Sequence, residues 1–407
     1  MRIAIIGAGI AGVSTAYELA SDGHEVTVFE RRGSVAAEAS FANSGLVAPG
    51  LALPWTRVGF SLFGGRQRQR WKAQRDATLP ERQQRLLKLA TYSFERLREL
   101  RRALQLDYER AEGLLVLLRT AKDQQAIAPG LAILAEAGIT ARELDADQCR
   151  AAEPGLNPDH TLHGGVLLPQ AEVGNCRQLA HQLRLEAQRL GVQFRFHTTV
   201  RAVEPGAPAR LTHEYTPPRE TAPGPATRQP DAGDTQPAEL GPQQQAFDAV
   251  VVCAAQDSAA LLRTLKLPID PVQSCSITAP LRQLEAHPDL GPRGALFDQQ
   301  RQIHIGRIGQ RVRALGTDEA ALHQALHDWF PGAMVAGQVQ RWQGPHGELP
   351  DGLPVLGSSG LAGIWLNLGH GDSGFTLACG AARALAEQIA RLSPEVDLAG
   401  LDITRFA

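Results

Sequence analysis

The stretch "MRIAIIGAGIAGVSTAYELASDGHEVTVFERR" (Met1–Arg32) decides the architecture of this chain. "RIAIIG" is a short β-branched run suited to a strand buried on both faces. "AGVSTAYELASDG" carries helical spacing that stops at Gly23, and "HEVTVFE" is a second strand. The three make a βαβ unit whose turn holds Gly7, Gly9 and Gly12 as G-x-G-x-x-G. The first glycine permits the sharp turn, the second lets backbone approach a pyrophosphate, and the third lets helix pack on strand. Unpaired N–H groups at the helix start face the phosphates. Glu30 closes the second strand, at the spacing where a carboxylate accepts hydrogen bonds from an adenosine ribose. An ADP-containing cofactor is the reading this supports; the competing one is a glycine-packed turn without ligand.

Working outward, 407 residues are enough for two domains sharing a boundary. A formal net charge of −2 with no strongly basic domain lacks the electrostatic footprint of a nucleic-acid binder. Five scattered cysteines without a CxxC pair argue for free thiols in a reducing compartment and against structural zinc. No metal is expected. The apolar start is cut by glycines and followed by acidic residues, so it does not resemble a signal peptide, and no run is long enough to cross a bilayer. A cytoplasmic protein is expected, with contact at the inner face of the membrane left open.

Residues 81–105 read as a long amphipathic helix, Arg-rich on its wet face. Strands follow at "GLLVLLRT" and "HGGVLLPQ", with a helical region near 122–137 between them. A helix from Asn175 closes on Gly191, and "VQFRFHTTV" reads as one strand. Residues 205–245 turn to Pro, Gly, Thr, Gln and Glu, a composition that reads as a loop or flexible linker. Order returns at the strand "FDAVVVCAA" and the helix "DSAALLRTL". Alternating strands then dominate, with a hairpin at Gly309-Gln310, before the ending "GIWLNLGHGDSGFTLACGAARALAEQIARL": strand, glycine-rich bend, helix.

That ending favours FAD over NAD. A flavin needs its ring system held as well as its ADP half. "EASFANSGLVAPG" (38–50) can pass along pyrophosphate and flavin, while backbone N–H groups of "GHGDSGFT" (369–376) can stabilise charge at the N1/O2 edge. The blocks at 5–32, 38–55, 164–176 ("GGVLLPQAEVGNC"), 350–357 ("PDGLPVLG") and 365–380 together resemble the FAD-dependent D-amino acid dehydrogenases, within the wider group of glycine and sarcosine oxidases.

The resemblance implies an α/β protein with a Rossmann-like, glutathione-reductase-type FAD domain (1–60, 172–270 and 355–407). Interleaved with it is an α+β substrate domain on an antiparallel sheet (61–171 and 271–354). It implies noncovalent FAD and oxidation of a Cα–N bond by hydride transfer from Cα to flavin N5, the imine then being hydrolysed and the electrons passing to a quinone or another acceptor. Carried over residue by residue, the cofactor contacts are Gly7, Gly9, Ile10, Ala11, Gly12, Glu30, Arg31, Ser40, Asn43, Gly45, Leu46, Val200, Ala254, Gly344, Gly369, His370, Gly371, Gly374, Phe375 and Thr376.

The chain also departs from the family. His346, in "WQGPHGELPDG", stands where the family's carboxylate-gripping arginine belongs, which weakens the case for a free α-carboxylate on the substrate. "QSCS" (273–276) replaces a basic residue followed by Gly and Tyr, and Ala255 sits where glycine is usual. An oxidase acting with O₂ on a carboxylate-free amine is therefore an alternative, as is a non-catalytic flavoprotein subunit of a hetero-oligomer. No triad or carboxylate pair is found, so no catalytic base is named. Three pocket candidates remain: His346; His370, as a flavin or substrate contact or a plain loop residue; and Arg307, which shares a strand face with Ile303 and Ile305. A structural ion pair is the competing reading of Arg307, and His304, on the opposite face, reads as ordinary. Cys379 reads as core, Trp55 and Trp342 as core or pocket wall. The basic cluster "RQRQRWKAQR" (66–75) reads as a solvated loop or a membrane contact.

Overall fold

The computed structural model of the chain describes residues 1–53, 55, 72–73, 75–217, 241–283 and 290–406. Its first sheet has six strands in the order β17 (Val355–Ser358), β18 (Ile364–Leu368), β11 (Ala249–Val252), β1 (Arg2–Ile6), β2 (Glu25–Phe29), β7 (Gln193–Arg195). All neighbours are parallel except the β17–β18 pair. Such a sheet needs cover on both faces, which is why β1 and β11 read as unbroken apolar runs. On one side Ile3, Ile5, Val26 and Val28 pack under three helices, Ile10–Ser21, Cys176–Arg189 and Gly374–Ile389. On the other, Ala4, Ile6 and Val250 meet Val200, Leu211 and Phe247 of a small second sheet.

That second sheet corrects the reading of 205–245 as linker. β8 (Thr198–Glu204), β9 (Ala209–Tyr215) and β10 (Pro242–Phe247) pair antiparallel, so only residues 218–240 of the segment lie outside the described ones. Composition misled because one face of the sheet is wet. Apolar residues come singly, yet Leu211 and His213 are buried against Phe29 and its neighbours. "VQFRFHTTV" likewise is two strands, β7 and β8, in different sheets. Left-handed His197 (φ +53°) breaks the run.

The third sheet joins β16 (Gln340–Glu348), β12 (Asp270–Pro280), β15 (Arg311–Gly316), β14 (Ile303–Ile308), β13 (Ala295–Asp298), β4 (Ala111–Leu118), β6 (Gly164–Val173) and β3 (Leu46–Val47), with β5 (Arg142–Asp145) also paired to β6. Only β13–β4 is parallel. Its two faces differ in chemistry. Ile277, Leu296, Ile303, Ile305, Val312 and Ala314 form a core closed by the helix Glu319–Trp329. By the strand register, Ser276, Thr278, Phe297, His304 and Arg313 stand on the opposite face.

The expected long helix runs Leu79–Leu104. It crosses the last helix at a contact that leaves no room for a side chain, since a Cβ at Gly380 would fall 2.6 Å from Ser93 Cα. Its arginines are not all wet: Arg96 reaches the fully buried Glu18 with hydrogen bonds of 2.8 and 2.9 Å, and Arg101 reaches Glu172. Against expectation, "DSAALLRTL" makes only a single α-turn, Ser258–Leu261, followed by a 3-10 turn. No helix among the described residues is long and apolar enough to cross a membrane. Apart from Lys72, Ala73 and Arg75, the basic cluster 66–75 lies outside them.

Candidate cofactor and active site

The first turn is built by exclusion. Gly7 takes φ +100°, and a Cβ there would fall 2.7 Å from the Cys253 carbonyl oxygen. At Gly12 a Cβ would lie 1.9 Å from the Gly7 carbonyl oxygen, so helix and strand touch at that point. Gly9 differs, because a Cβ there would meet only Ser40 Oγ, at 3.4 Å. Its open side faces a cavity of about 370 Å³ that Gly7, Gly9, Glu30, Arg31, Ser40, Val200 and Ala254 help to line. Glu30 is placed by two backbone donors, Ala8 N–H and Arg32 N–H, each at 2.8 Å. Burial pushes its carboxyl above the usual range, and those donors pull it back. Arg31 is held at the rim by Glu38 and Asp257.

The sequence reading did not single out Glu38, Thr198, Thr199, Arg201 or Asp257, which also line this cavity. Thr198 to Arg201 belong to β8, whose start within "VQFRFHTTV" was hidden by the break at His197. Ala255 lines it too, in the left-handed conformation (φ +46°).

A second cavity, about 440 Å³, is assembled from both ends of the chain and from the third sheet. Leu46, Ala48, Leu53 and Trp55 come from after β2, Gln299, Gln302 and His304 from around β14, and Glu348 and Leu349 from the end of β16. Gly369, His370, Gly371, Asp372 and Thr376 come from the last turn and helix. Thr376 Oγ1 ties two of these parts, accepting from Ala48 N–H (3.1 Å) and donating to the Leu46 carbonyl (3.3 Å). At Gly369 (φ +76°) a Cβ would fall 2.4 Å from Leu349 Cδ1, so the closing turn there also needs glycine. Two chain segments run from one cavity to the other: Ser40 lines the first and Ser44 the second, as do Pro345 and Glu348.

The remaining expected contacts line neither cavity and stand behind the walls. Ile10, Ala11 and Gly12 open the first helix, and Ile10 N–H donates to Ser40 Oγ (3.1 Å). Asn43 Oδ1 caps Gly45 N–H (3.1 Å), and Gly45 lies against Gly174. Gly344 lies under Trp342, Gly374 opens the last helix, and Phe375 packs edge-on against Tyr108.

The three pocket candidates separate. His370 lines the second cavity; its Nε2 is buried with no partner, and burial pushes the imidazole down to about 4. His346 stands between the cavities with both ring nitrogens engaged, Nδ1 with Ser274 Oγ (3.0 Å) and Nε2 with Glu348 Oε1 (3.1 Å) and Asp372 Oδ1 (3.4 Å). Arg307 is a correction. Its guanidinium folds back on the hairpin, Nε donating to the Gly309 carbonyl (3.0 Å) and an amino group to Gln310 (3.2 Å). The face it shares with Ile303 and Ile305 is the one closed by a helix. The cavity takes the other face, so His304, read as ordinary, lines it instead.

These residues fit FAD. Gly9 leaves backbone bare beside a cavity at a helix N-terminus, Glu30 presents a fixed carboxylate 22 positions after Ala8, and two histidines that each carry a buried, unpartnered ring nitrogen, His304 and His370, line the second cavity. All five cysteines are buried and free, with the thiols of Cys176, Cys253 and Cys379 pushed up to about 12 by burial. Over residues 2–388 the chain matches the DAO family model, described as FAD dependent oxidoreductase. The chain belongs to this FAD-dependent oxidoreductase family.

Its relatives include a D-amino acid dehydrogenase from Cereibacter sphaeroides, 34% identical over 450 residues and covering 100% of this chain and 96% of that protein. A D-amino acid dehydrogenase from Rhodopseudomonas palustris is 32% identical over 451 residues, with coverage of 100% and 98%. Among solved structures, glycine oxidase from Geobacillus kaustophilus superposes with a TM-score of 0.73 at 20% identity, covering 99% of each chain, a likeness of fold. The α/β class with a Rossmann-like FAD domain is thereby established for this flavoprotein oxidoreductase.

Proposed function

We propose that the chain binds FAD along the path from the first cavity to the second and oxidises the Cα–N bond of a D-amino acid or related amine. The electrons pass to a quinone or another carrier. The observation that carries this reading is the pairing of a glycine turn from each chain end around two cavities that share the segments 40–44 and 345–348. The division into FAD-binding residues 1–60, 172–270 and 355–407 and substrate residues 61–171 and 271–354 belongs to it. It is supported by the first two sheets falling within the former, while of the third sheet only β3, the end of β6 and the first residue of β12 do.

When bound, FAD supplies the two-electron acceptor for the substrate C–H bond. The protein's part is binding, orientation and exclusion of water. Gly7 makes the sharp turn, Gly9 leaves room for phosphates at the helix start, and Glu30 is placed to accept from ribose hydroxyls. Around the second cavity, Leu46, Ala48, Leu53, Trp55 and Phe297 keep water out. His370, neutral at physiological pH, offers a hydrogen bond without a charge.

A second reading is an oxidase acting on an amine without a free carboxylate. It is favoured by His346, already engaged by carboxylates, and by the lack of Arg or Lys lining the second cavity among the described residues. Peripheral membrane contact through 66–75 would suit a quinone acceptor. Anaerobic mixing with D-alanine, D-arginine, sarcosine and benzylamine tests these readings. Bleaching of the flavin by D-amino acids supports the first, and bleaching by benzylamine alone, with peroxide formed in air, supports the second. Protein that none of them bleaches counts against both.

A further inference from the structure

His304 and His370 line the second cavity, His346 stands beside it, and the settings of the three differ. Both ring nitrogens of His346 are occupied by Ser274 and Glu348. His370 has no carboxylate working on it, and burial alone holds it neutral. His304 combines what the other two lack. It lines the cavity, its ring is stacked on Phe297 (centroids 4.5 Å apart, planes at 27°), and its Nδ1 is buried without a partner. Asp372, from the turn before the last helix, acts on it through space.

We propose that His304 is a catalytic residue: it takes the proton from the substrate's ammonium group and so supplies the neutral amine that C–H oxidation requires. The inference rests on the amine-oxidising reading above. An amine enters near neutral pH mostly as ammonium, whose nitrogen has no electron pair to offer. In the step assigned to His304, the ammonium N–H bond breaks and its electron pair stays on the amine nitrogen. The proton forms a new N–H bond at a ring nitrogen, taking the imidazole from neutral to singly positive. Charge in the cavity is unchanged, and Asp372 stabilises the imidazolium before the proton leaves to water.

The other groups that face His304 agree with this assignment. His370 stands beside Asp372 on the same turn, Glu348 comes from β16, and Asp351 is tied to Arg405 (2.8 Å). Gln299 and Gln302 are neutral. Asp298, one strand over, points to the opposite face, where Arg119 and Trp329 hold it. Burial lowers the proton affinity of His304 and Asp372 raises it, so the ring is neutral on arrival of substrate and has a counter-ion once charged.

The test compares wild-type holoenzyme with His304→Phe and His304→Gln, measuring anaerobic flavin reduction against pH with D-alanine and with benzylamine. Near pH 7 the variants are expected to be slower by about 10²-fold. They recover as pH approaches the amine's own pKa, so the acid limb moves upward. A merely structural role would lower the rate alike at every pH with the limb unmoved, and that result overturns the proposal. A readout independent of turnover is ¹⁵N-histidine NMR of dithionite-reduced holoenzyme. One imidazole signal, missing from His304→Gln, should become imidazolium when D-alanine or benzylamine binds; a signal that stays neutral with both overturns the assignment. If neither amine bleaches wild-type flavin, the amine-oxidising reading fails and takes this inference with it. Bleaching with an unmoved limb sinks this inference alone.

Discussion

The two cavities are made in opposite ways. The first draws its decisive parts from one βαβ unit of some thirty residues, where three glycines and a carboxylate are fixed by strand–helix contact. The second is gathered from the segment after β2, the third sheet, the end of β16 and the last turn. What differs is the tolerance for side chains. In the first, backbone packs on backbone with no slack at Gly12. In the second, side chains on separate elements meet across open volume, and among the described glycines that line it only Gly369 is closed in comparably by a neighbour.

The sharpest way to break that contrast is a pair of glycine substitutions. In Gly12→Ala the new methyl would lie 1.9 Å from a carbonyl oxygen, so the first helix must leave the strand. Loss of more than about 3 kcal/mol is expected, with no flavin retained. Gly374→Ala puts its methyl 3.8 Å from His370 Cβ, an ordinary contact at the first turn of a helix, and should be neutral or slightly stabilising. Thermal unfolding of the apoprotein and the flavin absorbance of purified protein measure both. Equal effects at the two positions would contradict the contrast.

The same contrast decides what was legible in the sequence. The first cavity's core, Gly7 to Glu30, could be read because its geometry is local: each glycine has a steric reason within one turn. His304 could not be reached from its own strand, "IHIGRI". Alternation assigns His304 and Arg307 to opposite faces but does not say which face a helix will cover. The two isoleucines pointed correctly to a buried side, which proved to be the core under Glu319–Trp329, not the site. A third sheet with both faces covered was the missing information. The strands of 205–245 were missed for the converse reason. In "ARLTHEY" and "PQQQAF" one apolar side chain in two or three is enough for a small sheet that needs to bury a single face.

That small sheet offers the next test. His213 of β9 is 2% exposed and lies 4.8 Å from the ring of Phe29, which lines the first cavity. Burial, with Arg195 adding to it, pushes the imidazole from 6.5 down to about 4. The unfolded chain therefore binds a proton that the folded chain refuses between those values. Stability is unaffected above about 6.5 and falls as pH drops through the window, by at most about 3 kcal/mol from this residue. Urea unfolding of apoprotein across the window should show a shallower loss in His213→Leu than in wild type. His370 contributes with the same sign at the second cavity, so the slope should be reduced rather than abolished. An unchanged slope would mean that His213 is not sealed against Phe29.

The smallest effect sits at Ala255, where the first cavity departs from its own rule. It is an alanine held at φ +46°, on a wall otherwise turned by glycine. A non-glycine residue in this conformation costs about 1–2 kcal/mol, and removing the methyl makes the unfolded chain more flexible by about 0.4–1 kcal/mol. The two terms oppose each other, and the strain is the larger, so Ala255→Gly should stabilise the apoprotein by roughly 0.5–1 kcal/mol. Flavin affinity should hold or rise, because the substitution removes a methyl from a residue lining the cavity and leaves Gly7, Gly9 and Glu30 untouched. Urea midpoint and flavin titration give the two numbers. A destabilised Ala255→Gly protein would mean that this methyl is packed, and that even the first cavity contains a position where side-chain contact outweighs backbone strain.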